Sequence, residues 1–373
     1  MNLTKAKIAL VFDWMTNQGG AERVNLVLHK MFPKAPIFTC IYNPEKLKGF
    51  EKANIKTSFI QNLPFAKTKH QLYLSLMPYA YELFDLSKFD IVISSSHACS
   101  KGIITKPETL HICYCHTPMR YAWDNWQSYI DEYKMNPILK MLGKSRIHKL
   151  RMWDRLAADR VDKFIANSNT TQQRIKKYYN RESEIIFPMI KHSDYRLASR
   201  KKGYFLAVGR LTPYKKFDLI VETFNELGLP LKIAGTGIME NTLRKSSAEN
   251  IEFLGYVHDD VLKTLYSECE ALIFPQVEDF GIIPLEAMAS GRPVIALGEG
   301  GALDTIIPNK TGVLFKKQTV KGLKQAVEKY IENKRKFNSS YIREHAKEFD
   351  ESKFEKKLTG FIEREWETWQ STM

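Results

Sequence analysis

The sequence predicts an α/β protein built from two doubly wound, Rossmann-like domains, and three observations predict this fold class. The chain has 373 residues, which exceeds what a single hydrophobic core usually organises. Short apolar runs alternate with stretches of helical periodicity, as they do in parallel sheets that are covered by helices on both faces. Glycine-rich or charged turns follow many of these runs, where ligands of such sheets usually bind.

The first half begins with an apolar strand, Ile8–Phe12, which leads into the turn Asp-Trp-Met-Thr-Asn-Gln-Gly-Gly. A helix is predicted over Ala21–Phe32, because Val24, Leu28 and Met31 recur on one face. Three further short strands are predicted in this half, at Ile91–Ser94, Leu110–Cys115 and Phe164–Asn167.

The second half shows the same alternation more clearly. Six strands are predicted, at Tyr204–Val208, Leu231–Ala234, Ile251–Leu254, Ala271–Phe274, Pro293–Ala296 and Gly312–Leu314. Four helices are predicted between them, at Phe217–Leu227, Asp259–Ser267, Pro284–Ser290 and Thr319–Asn333. These elements suffice for a complete doubly wound domain.

A polar stretch from Lys191 to Lys202 separates the halves and is predicted to be the linker. We therefore expect an N-terminal domain over residues 1–190 and a C-terminal domain over residues 191–350, facing each other across a central cleft. Residues 351–373 carry Phe361, Trp366 and Trp369, and such large apolar side chains need a surface to pack on. A C-terminal helix that crosses back to the first domain is therefore predicted.

The formal net charge of +14 is concentrated in the first half of the chain. Residues 1–200 hold 31 Lys or Arg and 17 Asp or Glu, whereas residues 201–373 hold 25 of each. A one-sided basic surface indicates an anionic partner such as phospholipid, nucleic acid or an acidic substrate, unless it serves solubility alone. The apolar runs are too short for a membrane span or a secretory signal, so a cytoplasmic location is expected.

Cysteine usage is typical of reduced thiols, because the cysteines are scattered and odd in number. The five are Cys40, Cys99, Cys113, Cys115 and Cys269. Cys113, Cys115 and His116 lie close in sequence, but a zinc site would need a second matching pair, which the sequence lacks. No metal site is therefore predicted.

The strongest motif, EDFGIIPLEAMASG, follows the fourth predicted strand of the second half. Glu278 is placed on the loop, and Glu286 stands eight residues later, about one turn into the next helix. The N–H groups of Gly281, Ile282 and Ile283 open that helix, and a helix N-terminus is suited to a diphosphate. A carboxylate behind it can accept hydrogen bonds from ribose hydroxyls, although a capped surface helix with two solvated glutamates would share this pattern.

A second motif, AVGRLTPYKKF, follows the first strand of the second half. Arg210 can grip phosphate oxygens in a bidentate manner, and Lys215 or the adjacent Lys216 adds a point charge. Cations at this position would stabilise a departing nucleoside diphosphate. The alternative is a set of solvated surface charges.

Two glycine pairs follow later strands: Gly235 and Gly237 in IAGTG, and Gly300 and Gly301 in GEGG. Glycine lets the backbone approach a ligand closely, but it also makes plain tight turns. Both interpretations stay open for both pairs. Contacts that select a nucleotide base are expected near Val257.

In the first half, Gly19 and Gly20 separate the first strand from its helix. A substrate could approach the helix N-terminus there, or the pair makes a tight turn. His116 follows a strand and is placed to face the cleft, unless it is a structural histidine. Three nearby side chains could shape a pocket on the acceptor side: Arg120, Trp123 and Asp124.

Together, these motifs resemble those of retaining family 4 glycosyltransferases of the GT-B fold. The resemblance spans nearly the whole chain, and the motifs occur in the matching order: Gly-Gly-Ala-Glu, His-Thr-Pro, Gly-Arg with a following Lys, Gly-x-Gly and Glu-x7-Glu. The stretch HTPMRYAWD is similar to bacterial lipopolysaccharide and O-antigen mannosyltransferases of that family. One departure is Asp304, where the family commonly has glutamate.

The resemblance implies a role for each donor-side motif. Arg210 and Lys215 would bind the donor diphosphate, Glu286 would hold the ribose, and Glu278 would contact the transferred sugar. It also implies retention of the anomeric configuration and GDP-mannose as donor, with UDP-sugars next. No Asp-x-Asp occurs in the chain, so no metal ion or other cofactor is expected; cations and a helix terminus would stabilise the leaving group.

On the acceptor side, the resemblance implies that the Gly19-Gly20 loop closes over the reaction site and that His116 contacts the sugar. The N-terminal domain would receive a saccharide or lipid-linked acceptor of lipopolysaccharide, O-antigen or capsule synthesis.

One basic segment of the first half suits an anionic membrane surface, because Ile147, Leu150 and Trp153 recur at helical spacing with cations between them. Each cation near such a surface contributes roughly 1 kcal/mol. An apolar stripe that packs inward would show the same spacing. The segment combines Lys140, Lys144, Arg146, Lys149 and Arg151 with Ile138, Leu142, Ile147, Leu150 and Trp153. A peripheral location on the inner face of the plasma membrane is expected.

Several other functions stay open. A sugar-nucleotide epimerase or a phosphorylase would share the two-domain plan, although the phosphorylase would need a cofactor lysine that no motif indicates. A nucleic-acid-binding protein would explain the charge, but no recognised binding motif is present, so no nucleic-acid partner is expected. A non-catalytic nucleotide-sugar binder would carry the same motifs.

Overall fold

The computed structural model describes residues 5–124, 137–198 and 200–372, without the side chains of residues 137–140 and Leu142. The chain forms two compact units. The N-terminal unit combines Met1–Phe187 with Glu355–Met373, and the C-terminal unit comprises Pro188–Phe354. Both boundaries lie within about four residues of those expected from the sequence.

Each unit contains an all-parallel sheet. The first has the strands β1 (Ile8–Phe12), β2 (Ile37–Thr39), β3 (Ile55–Thr57), β4 (Ile91–Ser96), β5 (Leu110–Cys115), β6 (Lys163–Ala166) and β7 (Ser183–Ile185), in the order β3-β2-β1-β4-β5-β6-β7. The second has β8 (Phe205–Val208), β9 (Leu231–Ala234), β10 (Ile251–Gly255), β11 (Leu272–Phe274), β12 (Val294–Leu297) and β13 (Gly312–Phe315), in the order β10-β9-β8-β11-β12-β13. The strand order reverses between β1 and β4 and between β8 and β11. Ligands of such sheets bind beyond the carboxyl edge at these switch points.

The α-helices lie mainly between the strands. In the first half of the chain they are α1 (Gly20–Met31), α2 (Met77–Glu82), α3 (Pro137–Asp159) and α4 (Asn169–Arg174). In the second half they are α5 (Phe217–Leu227), α6 (Glu240–Ser246), α7 (Asp259–Glu268), α8 (Ile282–Ala289), α9 (Ala302–Thr305), α10 (Val320–Asn333), α11 (Ser339–Ala346) and α12 (Glu351–Thr372). The six strands and four helices predicted for the C-terminal half are confirmed, with ends that shift by at most two residues.

The second sheet is covered by amphipathic helices. On α5, Phe217, Ile220 and Phe224 are buried at helical spacing, and α10 buries Leu323 and Val327 in the same way. This periodicity is the reason why the helices of the C-terminal half could be predicted from the sequence.

Three strands of the first sheet were not predicted: β2, β3 and β7. Each has only three residues, and β3 and β7 are the edge strands of the sheet. A three-residue strand is too short to show a period of two. These strands are specified by their neighbours, since β2 pairs with β1 and β7 with β6.

The C-terminal helix α12 returns to the N-terminal unit, as predicted. Phe361, Ile362 and Trp366 are buried. The Glu365 carboxylate forms an ion pair with Lys163 Nζ of β6 at 2.8 Å. Trp369 Nε1 donates a hydrogen bond to the Glu108 carbonyl at 3.1 Å. Among the described residues, no helix combines the length and the apolar character needed to cross a bilayer.

Candidate functional site

The switch point of the second sheet carries an ion pair between two predicted site residues. Lys215, in the loop after β8, donates from Nζ to Oε1 of Glu278, in the loop after β11. The Lys215 side chain is 11% exposed and that of Glu278 21%. Water can therefore reach a pair that lies where a parallel sheet binds its ligands.

The two neighbouring lysines of this loop differ in their environment. Lys215 ends a short 3-10 turn, Pro213–Lys215, and contacts Glu278, whereas Lys216 has a left-handed backbone with φ of 58° and opens α5. Arg210 is exposed at the end of β8. The structure thus distinguishes Lys215 from Lys216, which the sequence alone could not do.

The helix α8 begins beside this pair, directly after Gly281. Gly281 has φ of 87°, and a Cβ there would lie 3.2 Å from the Phe274 ring, so the turn favours glycine. Ile282 and Ile283 form the first turn of α8, whose N–H groups have no acceptor within the helix. Pro284 follows within the first turn, where it breaks no helical hydrogen bond. The predicted helix is thus present and begins two residues earlier than expected, while anion binding at its start stays a prediction.

Glu286 lies deeper than the sequence indicates. Its side chain is buried, Tyr195 Oη donates to Oε1 at 3.0 Å, and Tyr266 Oη donates to Oε2 at 2.7 Å. These two hydrogen bonds hold the carboxylate in a fixed orientation within the unit. Neither tyrosine was predicted, because Tyr195 falls in the presumed linker and Tyr266 on a helix whose spacing indicates only packing.

The Gly235 and Gly237 pair serves loop packing within the unit. A Cβ on Gly235 would lie 1.9 Å from the Gly209 carbonyl oxygen, and one on Gly237 would lie 2.4 Å from that of Leu211. The side on which a Cβ would stand is thus filled by the backbone of the loop after β8, which accounts for glycine at both positions. The approach of a ligand to the other side of this loop stays a prediction.

The second glycine pair braces the Glu278 loop. A Cβ on Gly300 would lie 2.4 Å from the Glu278 carbonyl oxygen, and one on Gly301 would lie 2.0 Å from that of Phe280. The Gly301 N–H also donates to the Glu278 carbonyl at 2.9 Å. Asp304 stands one turn later on α9 and is half-buried.

Val257 is half-buried after β10, at the same edge of the sheet. Its neighbour Tyr256 is 72% exposed, and its ring meets that of His258 edge-on at 5.2 Å. This loop provides an accessible aromatic ring beyond the carboxyl end of β10.

The switch point of the first sheet is organised by Asp13, which was not singled out from the sequence. Its buried carboxylate accepts four backbone N–H groups, from His97, Ala98, Cys99 and Ser100, at 2.6 to 2.9 Å. His97 Nδ1 lies 3.2 Å from the same carboxylate. Asp13 therefore ties the end of β1 to the loop after β4.

Gly19 and Gly20 are exposed at the start of α1. Gly19 is the N-cap residue, and a Cβ there would lie 2.9 Å from Oε2 of Glu22. Burial raises the pKa of Glu22, and His97 opposes this shift. The glycine turn thus holds a carboxyl group beside the first switch point.

His116 is buried after β5, and its Nε2 lies 2.8 Å from Ser95 Oγ. Burial, together with the smaller effect of the nearby His97, lowers its pKa to about 3. The ring is therefore neutral at physiological pH and is held by a partner on β4. Both interpretations of His116 therefore stay open. Its hydrogen-bonded, buried ring is typical of a structural histidine, and its position at the carboxyl edge of the sheet is the one expected of a ligand contact.

The three predicted acceptor-side residues are mostly engaged inside the N-terminal unit. Trp123 Nε1 donates to Asp154 Oδ2 at 2.8 Å, and the indole stacks on Tyr178. Asp124 pairs with Arg174 at 2.6 Å, and Arg120 is half-buried. The polar atoms of Trp123 and Asp124 thus bind neighbouring elements of the same unit, and a role of these residues in shaping an acceptor pocket stays a prediction.

The apolar stripe of α3 packs inward. Ile147 and Leu150 are buried in the core, and Trp153 packs against it while donating to Glu82 at 2.8 Å. The prediction that this stripe meets a membrane is therefore wrong. Lys144, Arg146 and Lys149 are exposed and Arg151 is half-buried, while the side chains of Ile138, Lys140 and Leu142 lie outside the described residues.

All five cysteines are free and buried. Cys113 and Cys115 lie in β5 beside α3 and Lys101, whose buried ammonium pairs with Asp154. Among the described side chains, no group of three or more His, Cys, Asp or Glu is arranged to hold a metal ion.

Two Rossmann-like units, the second with charged loops at its switch point, define a GT-B fold. The structure of HepE from Anabaena in complex with UDP has this fold, with a TM-score of 0.72 at 15% identity over 95% of this chain and 99% of that chain. The model of glycosyl transferases group 1 matches residues 191–349, and that of glycosyltransferase family 4 matches residues 18–194. The chain belongs to glycosyltransferase family 4.

Three curated relatives that the chain resembles are mannosyltransferases by name. The O-antigen chain mannosyltransferase RfbU of Salmonella typhimurium is 30% identical over 38% of this chain and 43% of its own length. The GDP-mannose-dependent alpha-(1-6)-phosphatidylinositol monomannoside mannosyltransferase of Mycobacterium tuberculosis is 33% identical over 36% and 39%. The alpha-1,3/1,6-mannosyltransferase ALG2 of Dictyostelium discoideum is 25% identical over 66% and 68%. The chain spans less than half the length of several of the relatives it matches.

Proposed function

We propose that the protein is a retaining hexosyltransferase that moves mannose from GDP-mannose to a saccharide or lipid-linked acceptor of cell-surface polysaccharide, such as lipopolysaccharide, O-antigen or capsule. The observation that carries this proposal is the Lys215–Glu278 pair at the switch point of the second sheet, with the start of α8 beside it. The names of the relatives support mannose as the sugar, and one of them is GDP-mannose-dependent.

In the proposed complex, the diphosphate replaces Glu278 as the partner of Lys215. It also accepts hydrogen bonds from the Arg210 guanidinium and from the N–H groups at the start of α8. A diphosphate brings more negative charge than one carboxylate, so the exchange is favourable. Glu278 is then free to accept hydrogen bonds from the hydroxyls of the sugar. Glu286, already oriented by two tyrosines, accepts those of the ribose.

In the proposed reaction, an acceptor hydroxyl attacks the anomeric carbon from the face that the diphosphate leaves. The bond from that carbon to the β-phosphate oxygen breaks, GDP departs, and the hydroxyl proton passes to the departing phosphate oxygen. Arg210, Lys215 and the α8 terminus stabilise the charge that develops on the diphosphate. This arrangement needs no metal ion, and His116 contacts the sugar in its neutral form.

The donor is tested by thermal-shift measurements with GDP, UDP and ADP, because a ligand that binds only the folded protein raises its melting temperature. We expect the largest shift with GDP. A larger shift with UDP would replace GDP-mannose by a UDP-sugar. HepE, which shares the fold, has been crystallised with UDP, so UDP is the relevant competitor.

The reaction is tested by incubating the protein with GDP-mannose and membrane lipids or saccharides, with and without a chelator of divalent metals. Transfer that persists with the chelator, and a product with the α configuration of the donor by NMR, are expected. An inverted product anomer, loss of transfer with the chelator, or hydrolysis without transfer would each contradict the proposal.

The proposed location is the cytoplasmic side of the plasma membrane, where a nucleotide sugar and a lipid-linked acceptor meet. The charge of the N-terminal half supports an anionic surface as partner, since the whole excess of +14 lies in residues 1–200. Cell fractionation tests it, and we expect release from the membrane fraction at high salt.

A further inference from the structure

The segment before β4 exposes large apolar side chains on one face. The 3-10 turn His70–Tyr73 is joined to α2 by the turn Leu74–Leu76, in which Leu74 and Leu76 have right-handed helical backbone angles. Leu72, Leu76, Tyr79 and Leu83 are 67%, 42%, 57% and 56% exposed, at spacings of four, three and four residues. Such spacings place them on one side of a helix. The opposite side supplies the buried core residues of this segment, so the exposed side chains are not needed for packing within the unit.

The neighbouring helix α3 extends this surface. Both Trp153 Nε1 and Arg160 Nη1 of the α3 region donate to Glu82 of α2, at 2.8 and 2.7 Å. Beside this contact, Met152 and Leu156 are 51% and 63% exposed and four residues apart on α3. The inward stripe of α3 therefore has an outward counterpart that is also apolar.

Lysines accompany these side chains. Lys67 and Lys69 are exposed just before the 3-10 turn His70–Tyr73, and Lys144 and Lys149 are exposed on α3. Among the described residues, none of the four forms a salt bridge. The segments 59–83 and 137–160 together contain nine Lys or Arg and three Asp or Glu. Two of those acids, Glu82 and Asp154, already pair inside the unit.

We infer that this apolar–basic face docks on the surface of an anionic bilayer. The face is defined by the six apolar side chains of Leu72, Leu76, Tyr79, Leu83, Met152 and Leu156, and by the four lysines Lys67, Lys69, Lys144 and Lys149. Its apolar side chains enter the boundary between headgroups and acyl chains, while the lysines meet lipid phosphates.

Charge decides between a bilayer and a second copy of the chain. A two-fold contact would bring the same basic face of both copies together, and like charges repel. An anionic bilayer neutralises them instead. The inference rests on the proposed function in one respect, because docking on a bilayer would bring the enzyme to its lipid-linked acceptor. Its test measures vesicle binding and does not depend on catalysis.

The test is co-sedimentation of the full-length protein with vesicles of phosphatidylcholine and phosphatidylglycerol in equal amounts, against vesicles of phosphatidylcholine alone, at about 50 mM salt so that screening stays weak. The protein should sediment with the anionic vesicles. Lys67→Glu/Lys69→Glu should lower the partition coefficient at least about tenfold, since each neutralised cation contributes about fivefold. Leu76→Ser/Leu83→Ser should lower it by a similar factor.

The matched controls lie on the C-terminal unit. Val261→Ser removes an apolar side chain that is 55% exposed, and Lys329→Glu reverses an exposed lysine. Both should leave vesicle binding within about twofold of the unchanged protein. A thermal melt of every variant with GDP shows that each is folded, so that lost binding is not lost structure.

Two results would overturn the inference: no sedimentation with anionic vesicles at low salt, or equal losses in the face variants and the controls. A dimer in sedimentation equilibrium without lipid that Leu76→Ser/Leu83→Ser abolishes would reassign the face to self-association. If vesicles bind but GDP-mannose gives no transfer, the proposed function fails and the docking surface stands.

Discussion

The Lys215 ammonium and the Glu278 carboxylate bind each other across the switch point of the second sheet, from the loops after β8 and β11. They come from two motifs that are 63 residues apart in the chain. Each group keeps the other in place while the donor is absent. In the proposed function, the pair holds at one position the cation that would bind the diphosphate and the carboxylate that would contact the sugar.

Replacing Lys215 should affect the donor more than replacing its neighbour. Lys215→Ala removes the charge that faces the loop of Glu278, and we expect GDP to bind at least about tenfold more weakly, since a charge-assisted hydrogen bond is worth about 1.5–3 kcal/mol. Lys216→Ala should change GDP affinity less than about threefold. Isothermal titration with GDP measures both. Equal losses in the two variants would show that the lysines share the role.

The tyrosines that hold Glu286 should matter for nucleotide binding as well as for stability. Tyr195→Phe or Tyr266→Phe leaves one oxygen of a buried carboxylate without that donor, which costs about 1–3 kcal/mol. We expect a lower melting temperature together with weaker GDP binding. Tyr330→Phe is the matched control, because Tyr330 Oη donates to the Glu270 carbonyl at 2.8 Å elsewhere in the unit. That variant should lose stability and keep its GDP affinity.

Gly301 should not tolerate a side chain. Gly301→Ala places a Cβ about 2 Å from the Phe280 carbonyl, so the loop of Glu278 must move, and both stability and GDP binding should fall. Gly360→Ala provides the contrast, since no atom lies within 4 Å of that Cβ and the residue is inside α12. It should stabilise the protein by about 0.5–1 kcal/mol in urea denaturation. Unchanged GDP affinity in Gly301→Ala would exclude this loop from the site.

Asp13 should be essential for the N-terminal unit. In the native protein, the Asp13 carboxylate accepts four backbone N–H groups, whereas Asp13→Asn places an amide NH2 group against some of them. We expect the free energy of unfolding to fall by at least about 3 kcal/mol. Asp85→Asn is the matched control, since Asp85 accepts one backbone N–H, from Ser87 at 3.0 Å, on the surface. Denaturation of both variants measures the difference. Equal losses in the two variants would show that the four hydrogen bonds to Asp13 stabilise the protein no more than the single one to Asp85.

Acid should destabilise the N-terminal unit through its buried histidines. Burial lowers the pKa of His70 and His111 to about 4 and that of His116 to about 3, whereas histidine in an unfolded chain titrates near pH 6.5. The unfolded chain therefore binds more protons as the pH falls from about 6.5 towards 4, and the free energy of unfolding drops by up to about 1.4 kcal/mol per pH unit for each histidine.

His111→Gln should reduce this dependence on pH by about one third, which urea denaturation at several pH values measures. The exposed His258→Gln on the other unit should leave it unchanged. An unaltered slope in His111→Gln would mean that His111 is charged in the folded protein.

Much of the fold was predictable because periodicity and turn chemistry are local. The strand β9 and the helix α5 begin and end where their apolar spacing indicates. The site motifs could be placed for a similar reason, since all strands of a parallel sheet end on one edge. Arg210 and Glu278 follow strands of the second sheet, and His116 follows a strand of the first. The short strands β2 and β7 were missed because their sequences carry no period of their own.

What the sequence determined by itself is the alternation of strands and helices, and with it the edge of each sheet where chemistry collects. Only the tertiary structure decided the partners of each group: Tyr195 with Glu286, Lys215 rather than Lys216 with Glu278, and the Gly209 backbone beside Gly235. It also decided that α3 turns Ile147 and Leu150 inward and Met152 outward. The physical reason is that periodicity acts over a few residues, whereas these contacts join residues tens of positions apart, and their geometry exists only after the sheets have formed.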